Sequence, residues 1–501
     1  LYSSKDDAQA AIDGYVATLG ITDDDTVYED CSFIMQPQAS MVIMDQTTGE
    51  VVAMIGGRGE KTANKTLNRA SDSLRNPGST FKIVAAYAPA FEELGYGPGT
   101  VLYDGPYAYS GADSRLVKNW DKNTPYRGWT TIREAITRSM NIMAVKTITD
   151  VTTPVAVDYL LRFGFTSLSL EGSNTDYGQA TALGGITNGV SNLELTAAYA
   201  GIANKGDYIK PRMYTKVVDN EGNVVLDNEP DETQVISEQN AWLLIDCMKD
   251  VVNGAGGTSG SAKITNMTTA GKSGTTSENR DVWFVGMSPY YTAGIWVGYD
   301  NNGYKHELSS KAGETSFHKK LWAKVMSRIH EGLENKDFEK PSGIVQATIC
   351  TKSGKLAVAG LCDSDGREGI VRNEYFAEGT VPTETCDHHV IVNICADTGL
   401  LATSMCPNQV PQVKLLLPAM QEGVAEAVTQ DTAYGISANL QAATCTVHSG
   451  GVYVPSEYEL SGGGAAGTAA PAQDPAAGDA AAQADAGADA AAQSNEPNPI
   501  P

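Results

Sequence analysis

A mostly apolar run that follows a Pro-Gly turn is the strongest constraint on how this 501-residue chain can fold. Pro77 and Gly78 form the turn, and the run extends from Phe81 to Phe91. A run of this length that begins after a turn predicts a buried helix. Ser79 then lies at or near the first residue of the helix, and Lys82 lies one turn further along the same face.

A serine placed one helical turn from a lysine can be a nucleophile with its own base. The hydroxyl is a weak nucleophile until a base removes its proton, and a lysine is a base only when it is held neutral. Burial beside an apolar helix disfavours the ammonium form, and the helix N-terminus adds a positive field that favours an alkoxide. An isolated Ser-x-x-Lys is a weak signal, since most instances are helix caps beside a solvated charge. The hypothesis therefore depends on partners elsewhere in the chain.

Length and charge limit the classes of protein to which the chain can belong. Its 501 residues are too many for one core and predict two or three domains. The net charge of −24 argues against a nucleic-acid partner and leaves no basic stripe for anionic lipid. The first residue is Leu, and no apolar run reaches the ~18 residues of a membrane span. We expect a processed or excised chain whose native anchor lies outside this sequence.

Periodicity predicts an α/β (α+β) fold in which helices flank an antiparallel sheet of five strands. Two strands form a hairpin around a Thr-Thr-Gly-Glu turn, and three more follow as a meander, at 41–46, 51–55, 268–276, 281–287 and 292–299. Helices are predicted at 5–19, 131–138, 140–148, 154–163, 193–202, 239–252 and 318–333. Residues 100–130 show no clear period and are expected to form a surface loop.

The predicted secondary structure and the amino-acid composition change towards the C-terminal end of the sequence. Residues 344–450 contain short strands and turns, which predict a small β-rich accessory domain. Residues 461–501 consist almost entirely of Ala, Gly, Pro, Gln and Asp. Such a segment cannot bury enough apolar surface to offset chain entropy, so the tail is expected to be disordered.

Eight cysteines are present, and six of them lie in the last third of the chain. An even number in a Gly-rich region favours disulfides and an oxidising exterior, with buried free thiols as the alternative. No pair forms a Cys-x-x-Cys, and among the histidines only His388 and His389 are expected to lie nearby. The zinc interpretation is therefore weak, and neither a metal nor a cofactor is predicted.

An internal repeat lies within the cysteine-containing region. Cys350-Thr-Lys-Ser-Gly-Lys-Leu-Ala resembles Cys395-Ala-Asp-Thr-Gly-Leu-Leu-Ala, and another cysteine follows each, at 362 and 406. We interpret the two segments as related hairpin units, each able to hold a local disulfide, which would leave Cys386 and Cys445 to pair. Six cysteines allow 15 connectivities, so the pairing stays open.

Two further motifs follow Ser79-x-x-Lys82 in the chain, namely Ser139-Met-Asn141 and Lys272-Ser-Gly-Thr-Thr276. A Ser-x-Asn loop supplies a hydroxyl for proton relay and an amide that can hold a peptide group. The later strand supplies a fixed positive charge and hydroxyls suited to a carboxylate, and its glycine lets a ligand approach the backbone. Each motif alone is an ordinary cap or turn, but the ordered trio is a strong signal.

The ordered trio is typical of penicillin-binding proteins and serine β-lactamases, and residues 36–335 resemble class A (bifunctional) penicillin-binding proteins. The resemblance rests on these segments: 75–82, 119–121, 128–133, 270–276, 281–286 and 296–300. It implies the penicillin-binding transpeptidase fold and a D,D-transpeptidase that cross-links peptidoglycan stem peptides. Such proteins usually carry a membrane anchor and a glycosyltransferase domain before this region, so residues 1–35 resemble the end of an interdomain linker.

The same resemblance implies a catalytic role for five residues. Ser79 would attack the D-Ala-D-Ala carbonyl, with Lys82 as the general base. Ser139 would relay a proton towards the departing D-Ala, and Asn141 would hold the donor peptide. Lys272 would supply electrostatic support.

Substrate binding is implied for the strand that follows Lys272. Ser273 and Thr275 would bind the terminal carboxylate, and Gly274 and Thr276 would complete this part of the site. Serine at 273 replaces the commoner threonine and keeps the hydroxyl. The backbone N–H groups of Ser79 and Thr275 would form an oxyanion hole.

Other functions on the same scaffold are less well supported by the sequence. A β-lactamase would need an activating Glu-x-x-x-Asn, and Glu171-Gly-Ser-Asn174 is one residue too short. A D,D-carboxypeptidase differs only in its acceptor and stays open, as does a non-turnover β-lactam sensor or scaffold. The expected partners are stem peptides, β-lactams and cell-wall synthesis proteins. The expected location is the extracytoplasmic face of the cell membrane, held there by an N-terminal anchor absent from this chain.

Overall fold

A computed structural model describes residues 5–448, apart from gaps at 23, 27, 29–35, 62, 112–113, 124–125, 301–306 and 438–442. The predicted disordered tail at 461–501 and Cys31 lie outside the described residues. Among the helices of the described part, none has the length and apolar character needed to span a bilayer.

Helices and strands are numbered in chain order. The α-helices are α1 (Lys5–Ala17), α2 (Ala88–Glu93), α3 (Ile132–Thr137), α4 (Asn141–Val151), α5 (Thr153–Arg162), α6 (Asn192–Ala203), α7 (Glu238–Asn253) and α8 (Phe317–Ile329). The strands in the first part of the chain are β1 (Gln38–Asp45), β2 (Val51–Ile55), β3 (Val101–Asp104), β4 (Gly128–Thr131), β5 (Asp207–Ile209), β6 (Lys216–Val218), β7 (Val224–Asp227) and β8 (Glu232–Gln234). The later strands are β9 (Ala270–Thr275), β10 (Asp281–Met287), β11 (Tyr291–Gly298), β12 (Ile344–Cys350), β13 (Val371–Ala377), β14 (His389–Cys395), β15 (Gln409–Leu416) and β16 (Gly435–Ile436).

Five strands form the central sheet, in the order β2-β1-β11-β10-β9, and every neighbouring pair is antiparallel. The predicted five-stranded antiparallel sheet is therefore confirmed. Its two faces are covered by helices, as proteins built from packed layers require. α6 packs on β1 and β11, whereas α8 packs on the opposite face, where Trp322 meets Phe284 edge to face.

The buried helix predicted after the Pro-Gly turn is present, but it contains three kinds of helical turn. A 3₁₀ turn at Gly78–Thr80 leads through Phe81 and Lys82 into a π-helical segment at Ile83–Tyr87 and then into α2. Residues from Phe81 to Phe91 are all buried. The wide π turns lie just before Pro89, whose ring would otherwise clash with the carbonyl four residues earlier.

The expectation of a surface loop at 100–130 was wrong in part. β3 and β4 pair antiparallel at the two ends of this segment, with Tyr103 opposite Trp129. Each strand has only four residues, and 23 residues separate them, so neither shows the alternation that identifies a strand. The pairing is stabilised by tertiary contacts, since Asp104 accepts the Arg127 N–H at 2.8 Å and an Asn119 amide N–H at 2.9 Å.

Residues after 343 form the strands β12–β16 and pack against the domain that contains the central sheet. The buried Arg133 guanidinium in α3 contacts Glu374 of β13 at 2.7 Å, Asp246 at 2.6 Å and Asp250 at 3.0 Å. The guanidinium, buried among three carboxylates, fixes the position of the C-terminal strands against the domain with the central sheet. Separating the two parts would leave buried charges unpaired. Trp242 and Tyr375 stack edge to face beside this network.

The predicted disulfides are not found among the described residues. The seven described cysteines are all free and buried. Cys386 lies with Cys350 and Cys362 in one cluster, whereas Cys445 lies with Cys395 and Cys406 in another. The suggested Cys386–Cys445 pair is therefore excluded by position, because three cysteines gather around each hairpin unit.

Candidate active site

A cleft of about 670 Å³ opens beside β9 and the 3₁₀ turn at Gly78–Thr80. Six of the nine residues predicted for the site line it: Ser79, Ser139, Asn141, Ser273, Thr275 and Thr276. The other three, Lys82, Lys272 and Gly274, are buried directly behind this lining. The structure therefore brings together all three sequence motifs, which lie far apart in the chain.

The Lys82 side chain is fully buried and points towards the Ser139–Asn141 segment. Its Nζ donates to the Ser139 carbonyl oxygen at 2.6 Å and to Asn141 Oδ1 at 2.7 Å. The Ser139 hydroxyl oxygen lies 3.3 Å from the same Nζ. These contacts fix the amine at the base of the cleft, one helical turn from Ser79.

Ser139 occupies a left-handed backbone conformation between α3 and α4, with φ of 56°. A non-glycine residue rarely adopts positive φ, and such strain persists only where the surroundings impose it. Here the conformation turns both polar groups of Ser139 inward, since its carbonyl meets Lys82 and its hydroxyl accepts from Lys272 Nζ at 2.7 Å. The junction predicted at Ser139 is confirmed.

The two lysines behind the cleft have strongly lowered proton affinities. Burial, and then the positive charge of Lys272, hold the pKa of Lys82 well below its ordinary value. Burial, and then the positive charge of Lys319, lower the pKa of Lys272 to about 7. Two buried ammonium groups bonded to one serine repel each other, so this site favours one neutral and one charged lysine.

Gly274 is required by the contact between β9 and the turn that carries Ser79. A Cβ at this position would lie 2.3 Å from the Pro77 carbonyl oxygen and 3.0 Å from Thr80 Cγ2. The group that approaches Gly274 here is the chain's own backbone, and the approach of a ligand expected at this glycine stays a prediction. This packing places the backbone of Thr275 beside that of Gly78.

The turn that carries Ser79 is held from several directions. The Trp283 indole donates to the Asn76 carbonyl at 2.9 Å, and the Tyr199 hydroxyl donates to the Thr80 carbonyl at 2.6 Å. Gly184 packs so closely on the turn that a Cβ there would lie 2.5 Å from the Gly78 nitrogen. The position of the Ser79 backbone is thus set by the core.

Thr276, which directly follows β9, differs from Ser273 and Thr275, because its hydroxyl accepts the Asp281 N–H at 2.9 Å. That contact fastens the end of β9 to β10. Ser273 Oγ lies 3.2 Å from the hydroxyl of Thr258, another residue lining the cleft. Ser273 and Thr275 of β9 therefore line the cleft with hydroxyls that, unlike the Thr276 hydroxyl, do not bond to β10.

Sequence analysis missed several residues that shape the site. The Asn119 amide oxygen accepts the Asn141 N–H at 2.9 Å and so positions the first residue of α4. Lys319 and Thr258 line the cleft beside each other, with Lys319 Nζ donating to the Thr258 carbonyl at 2.8 Å. None of these residues belongs to a recognisable motif, and Asn119 was noted only as part of the family resemblance.

Comparison with protein families is consistent with this geometry. Residues 39–326 match the penicillin binding protein transpeptidase domain, which is more than half of the chain. The chain belongs to this penicillin-binding transpeptidase family. Residues 340–391 match a second model, the C-terminal domain of penicillin-binding protein 1A.

Several relatives of this family member are similar over most of its length. Penicillin-binding protein 1A of Clostridium tetani is 35% identical over 77% of this chain, and that of Clostridium botulinum (strain Langeland) is 33% identical over 77%. The chain spans about half the length of these relatives, 48% and 46%.

Solved structures of related proteins share the fold. Penicillin-Binding Protein 1A from Haemophilus influenzae superposes with a TM-score of 0.58 at 25% identity, over 70% of this chain and 54% of that one. The PonA1 protein from Mycobacterium tuberculosis, solved in complex with penicillin V, gives a TM-score of 0.53 at 23% identity, over 67% of this chain and 86% of that one. The predicted penicillin-binding transpeptidase fold is confirmed.

Replacing Gly274 with alanine should impair acylation of this family member by benzylpenicillin. The added methyl group would overlap the Pro77 carbonyl, so β9 and the Ser79 turn would have to move apart. We expect the second-order rate constant of acylation to fall by about 10²-fold or more, as misplacement of about 1 Å does in other enzymes.

The matched control is Gly260→Ala, whose new Cβ would lie 3.7 Å from its nearest neighbour, the Val252 carbonyl oxygen. Stopped-flow or gel-based labelling with a fluorescent penicillin measures both variants. Equal rates for Gly274→Ala and the wild type would contradict the tight contact between strand and turn.

Proposed function

We propose that this chain is a peptidoglycan D,D-transpeptidase that forms an acyl-enzyme on Ser79, and that β-lactams acylate the same serine. The observation that carries the proposal is the hydrogen-bonded contact of Lys82, Ser139 and Lys272 beside the cleft that Ser79 lines. Membership of the penicillin-binding transpeptidase family supports it. So does the complex of PonA1 with penicillin V, a protein of the same fold.

Lys82 is the general base in this proposal. A neutral amine has two N–H donors and one lone pair, and the Ser139 carbonyl and Asn141 Oδ1 can take both donors. The lone pair is then left to accept the proton of Ser79. The lowered pKa of Lys82, caused first by burial, favours the neutral form that a general base requires.

Ser139 and Lys272 return the proton to the leaving group. Ser79 Oγ forms an ester with the carbonyl carbon of the penultimate D-Ala, and the amide bond to the terminal D-Ala breaks. The proton held by Lys82 passes through the Ser139 hydroxyl, 3.3 Å away, to the departing amine. Lys272, bonded to the same hydroxyl at 2.7 Å, stabilises negative charge on Ser139 Oγ during the transfer.

Substrate binding is assigned to the groups that remain available around the cleft. One N–H of the Asn141 amide donates to the Lys118 carbonyl at 2.7 Å, which leaves the second for a substrate carbonyl. Ser273 and Thr275 line the cleft, and their hydroxyls are assigned to the terminal carboxylate. The backbone N–H groups of Ser79 and Thr275 form the oxyanion hole, in which one donor contributes about 3 kcal/mol.

The second half of the reaction transfers the acyl group to an amine of another stem peptide. Attack of water instead would make the protein a D,D-carboxypeptidase. Cell-wall synthesis proteins are the proposed partners, and the extracytoplasmic face of the cell membrane is the proposed location. The Clostridium relatives, which are named penicillin-binding protein 1A, support the binding of penicillin.

Intact-protein mass spectrometry after incubation with benzylpenicillin tests the nucleophile. We expect the wild type to gain the mass of one intact drug molecule, because acylation opens the lactam ring without loss of atoms. Ser79→Ala should gain nothing, and Ser71→Ala, a control in the same segment of the chain, should behave as the wild type. An adduct that persists in Ser79→Ala would refute the assignment, and rapid return to the free mass would indicate a β-lactamase.

A second assay distinguishes the two acceptors. A D-Ala-D-Ala stem peptide is supplied with and without a peptide amine, and products are separated by chromatography. A cross-linked product that requires Ser79 supports transpeptidation. Release of D-Ala with hydrolysed peptide alone, at every amine concentration, would make the protein a carboxypeptidase.

The second-order rate constant of acylation should decrease as the pH rises through about 7. This decrease is the alkaline limb of the pH profile. The reaction needs Lys272 protonated, and the pKa of that residue is about 7 in the free protein, so the charge is lost as the pH rises. Replacing Lys319 with glutamine removes a positive charge that lowers the Lys272 pKa, so the limb should move to higher pH.

The control is Lys320→Gln, an exposed neighbour on the same helix, which should leave the limb in place. The measured quantity is the second-order acylation rate constant between pH 5 and 10, which reports on the free enzyme. An unchanged limb in Lys319→Gln would show that Lys272 does not control it.

A further inference from the structure

Two groups of potential metal ligands lie in the C-terminal region, and none of their residues lines the cleft. Each group contains three cysteines and one histidine, and its four ligand atoms lie within 4.8 Å of one another. The first cluster is Cys350, Cys362, Cys386 and His389, and the second is Cys395, Cys406, Cys445 and His448. All six cysteines and His389 are buried, and His448 is half-buried.

The spacing of the ligand atoms matches a tetrahedral metal site. His389 Nδ1 lies 3.4 Å from Cys350 Sγ and 3.5 Å from Cys386 Sγ. His448 Nδ1 lies 3.5 Å from Cys395 Sγ and 3.6 Å from Cys445 Sγ. A tetrahedral zinc with Zn–S of about 2.3 Å and Zn–N of about 2.0 Å places its nitrogen and sulfur ligands about 3.5 Å apart.

The first ligand of each cluster begins the same backbone turn. Cys350 N–H donates to the Lys355 carbonyl at 2.8 Å, and Cys395 N–H donates to the Leu400 carbonyl at 2.8 Å. A glycine four residues after each cysteine donates to the cysteine carbonyl at 2.8 Å, with φ of 73° at Gly354 and 71° at Gly399. The internal sequence repeat is therefore also a structural repeat.

The later ligands also occupy equivalent positions. Cys386 N–H donates to the Leu356 carbonyl at 2.8 Å, and Cys445 N–H donates to the Leu401 carbonyl at 2.8 Å. Each of these cysteines begins a Cys-x-x-His segment, which ends at His389 or His448. This shared spacing brings in His448, in addition to the two histidines of the sequence-based prediction, His388 and His389. One four-ligand arrangement, formed twice in the chain, is not explained by the packing of isolated thiols.

Neighbouring groups orient the ligands. His389 Nε2 lies 2.8 Å from Asp365 Oδ2, which leaves Nδ1 facing the sulfurs, and Asp365 is itself bonded to Arg367. His448 Nε2 lies 3.6 Å from Asp397 Oδ2. A carboxylate on the outer nitrogen is the usual partner of a metal-binding histidine, because it fixes the ring orientation.

Backbone N–H groups also point at the sulfurs. Val358 N–H lies 3.3 Å from Cys362 Sγ, and Thr403 N–H lies 3.2 Å from Cys406 Sγ. Such donors stabilise thiolates, which are the form of cysteine that binds a metal. Both clusters therefore combine the ligands with the surroundings that a metal site requires.

We propose that each cluster binds one structural Zn²⁺ ion through three cysteine thiolates and one histidine nitrogen, so that the chain carries two. Four protein ligands complete the tetrahedral shell of zinc and leave no position for a substrate, as in structural sites. Binding releases the three thiol protons of each cluster. Disulfides fit the arrangement poorly, because three cysteines in one cluster would leave one thiol unpaired.

Zinc would stabilise the C-terminal region in place of a larger apolar core. The first cluster is surrounded by few apolar residues, mainly Ile370, Ala357 and Val358, and small units with little apolar core commonly depend on a metal. His388, next to the ligand His389, stacks on Trp129 of β4 with ring centroids 4.1 Å apart. The metal would therefore also support the contact between this region and the catalytic domain.

Metal analysis of the full chain tests the proposal. The protein is purified in the presence of a reductant and Zn²⁺, dialysed, and analysed by inductively coupled plasma mass spectrometry. We expect two zinc ions per chain in the wild type and one in either Cys386→Ser or Cys445→Ser. His388→Gln, which changes a histidine outside the clusters, should retain two. Labelling by benzylpenicillin reports whether the catalytic domain is folded in each variant.

The wild type alone decides the matter if a variant fails to fold. Its zinc content is compared with its mass under denaturing conditions, where each disulfide lowers the mass by two hydrogens. Zinc at two per chain with the fully reduced mass supports the proposal. Absence of zinc, whether with disulfides or with free thiols, would overturn it, as would iron at either site in place of zinc. Two zinc ions retained in both cysteine variants would also overturn the assigned ligands.

Discussion

The contact of two buried lysines with one serine is the interaction on which the candidate site depends. Lys82 and Lys272 approach Ser139 from different segments, at 3.3 and 2.7 Å from its hydroxyl oxygen. Two ammonium ions so close together in a buried place would be costly, and the site reduces that cost by lowering the proton affinity of both. Burial thus favours the proposed arrangement of a neutral base beside a charged partner, without a histidine or a carboxylate among the residues assigned to proton transfer.

The rest of the domain maintains that contact. β9 presents Lys272 from the edge of the central sheet, and the left-handed conformation of Ser139 turns its polar groups inward. Gly274 lets the strand meet the turn that carries Ser79, while Tyr199 and Trp283 hold the turn from the core. Since each of these contacts joins distant segments, the site can form only when the domain is folded.

Much of this architecture could be predicted from the sequence. The β1–β2 hairpin, the β9–β11 meander and the buried helix after Ser79 have strong local patterns, so their types and approximate bounds were right. The motif residues were also found in advance, because their order in the chain is distinctive. Their contacts could not be found this way, since the bonds from Asn119 to Asn141 and from Lys319 to Thr258 depend on how distant segments pack.

The preference for disulfides was wrong for the described cysteines, whereas the alternative of buried free thiols agrees with the structure. Disulfides, buried thiols and metal sites all use the same residue type, and spacing along the chain distinguishes them only when both halves of a motif are recognised. The repeat that begins at Cys350 and Cys395 is visible in the sequence, but the Cys-x-x-His segments that end at His389 and His448 are separate from it along the chain. Only the folded chain shows that each repeat gathers three sulfurs and one imidazole nitrogen.

A crystal structure of the benzylpenicillin adduct would locate the reacting atoms of the proposed mechanism. We expect an ester bond to Ser79 Oγ. The ester carbonyl oxygen should lie within hydrogen-bonding distance of the backbone N–H groups of Ser79 and Thr275, and the drug carboxylate should contact the hydroxyls of Ser273 and Thr275. An adduct on another residue, or an ester whose carbonyl points away from both N–H groups, would contradict the account.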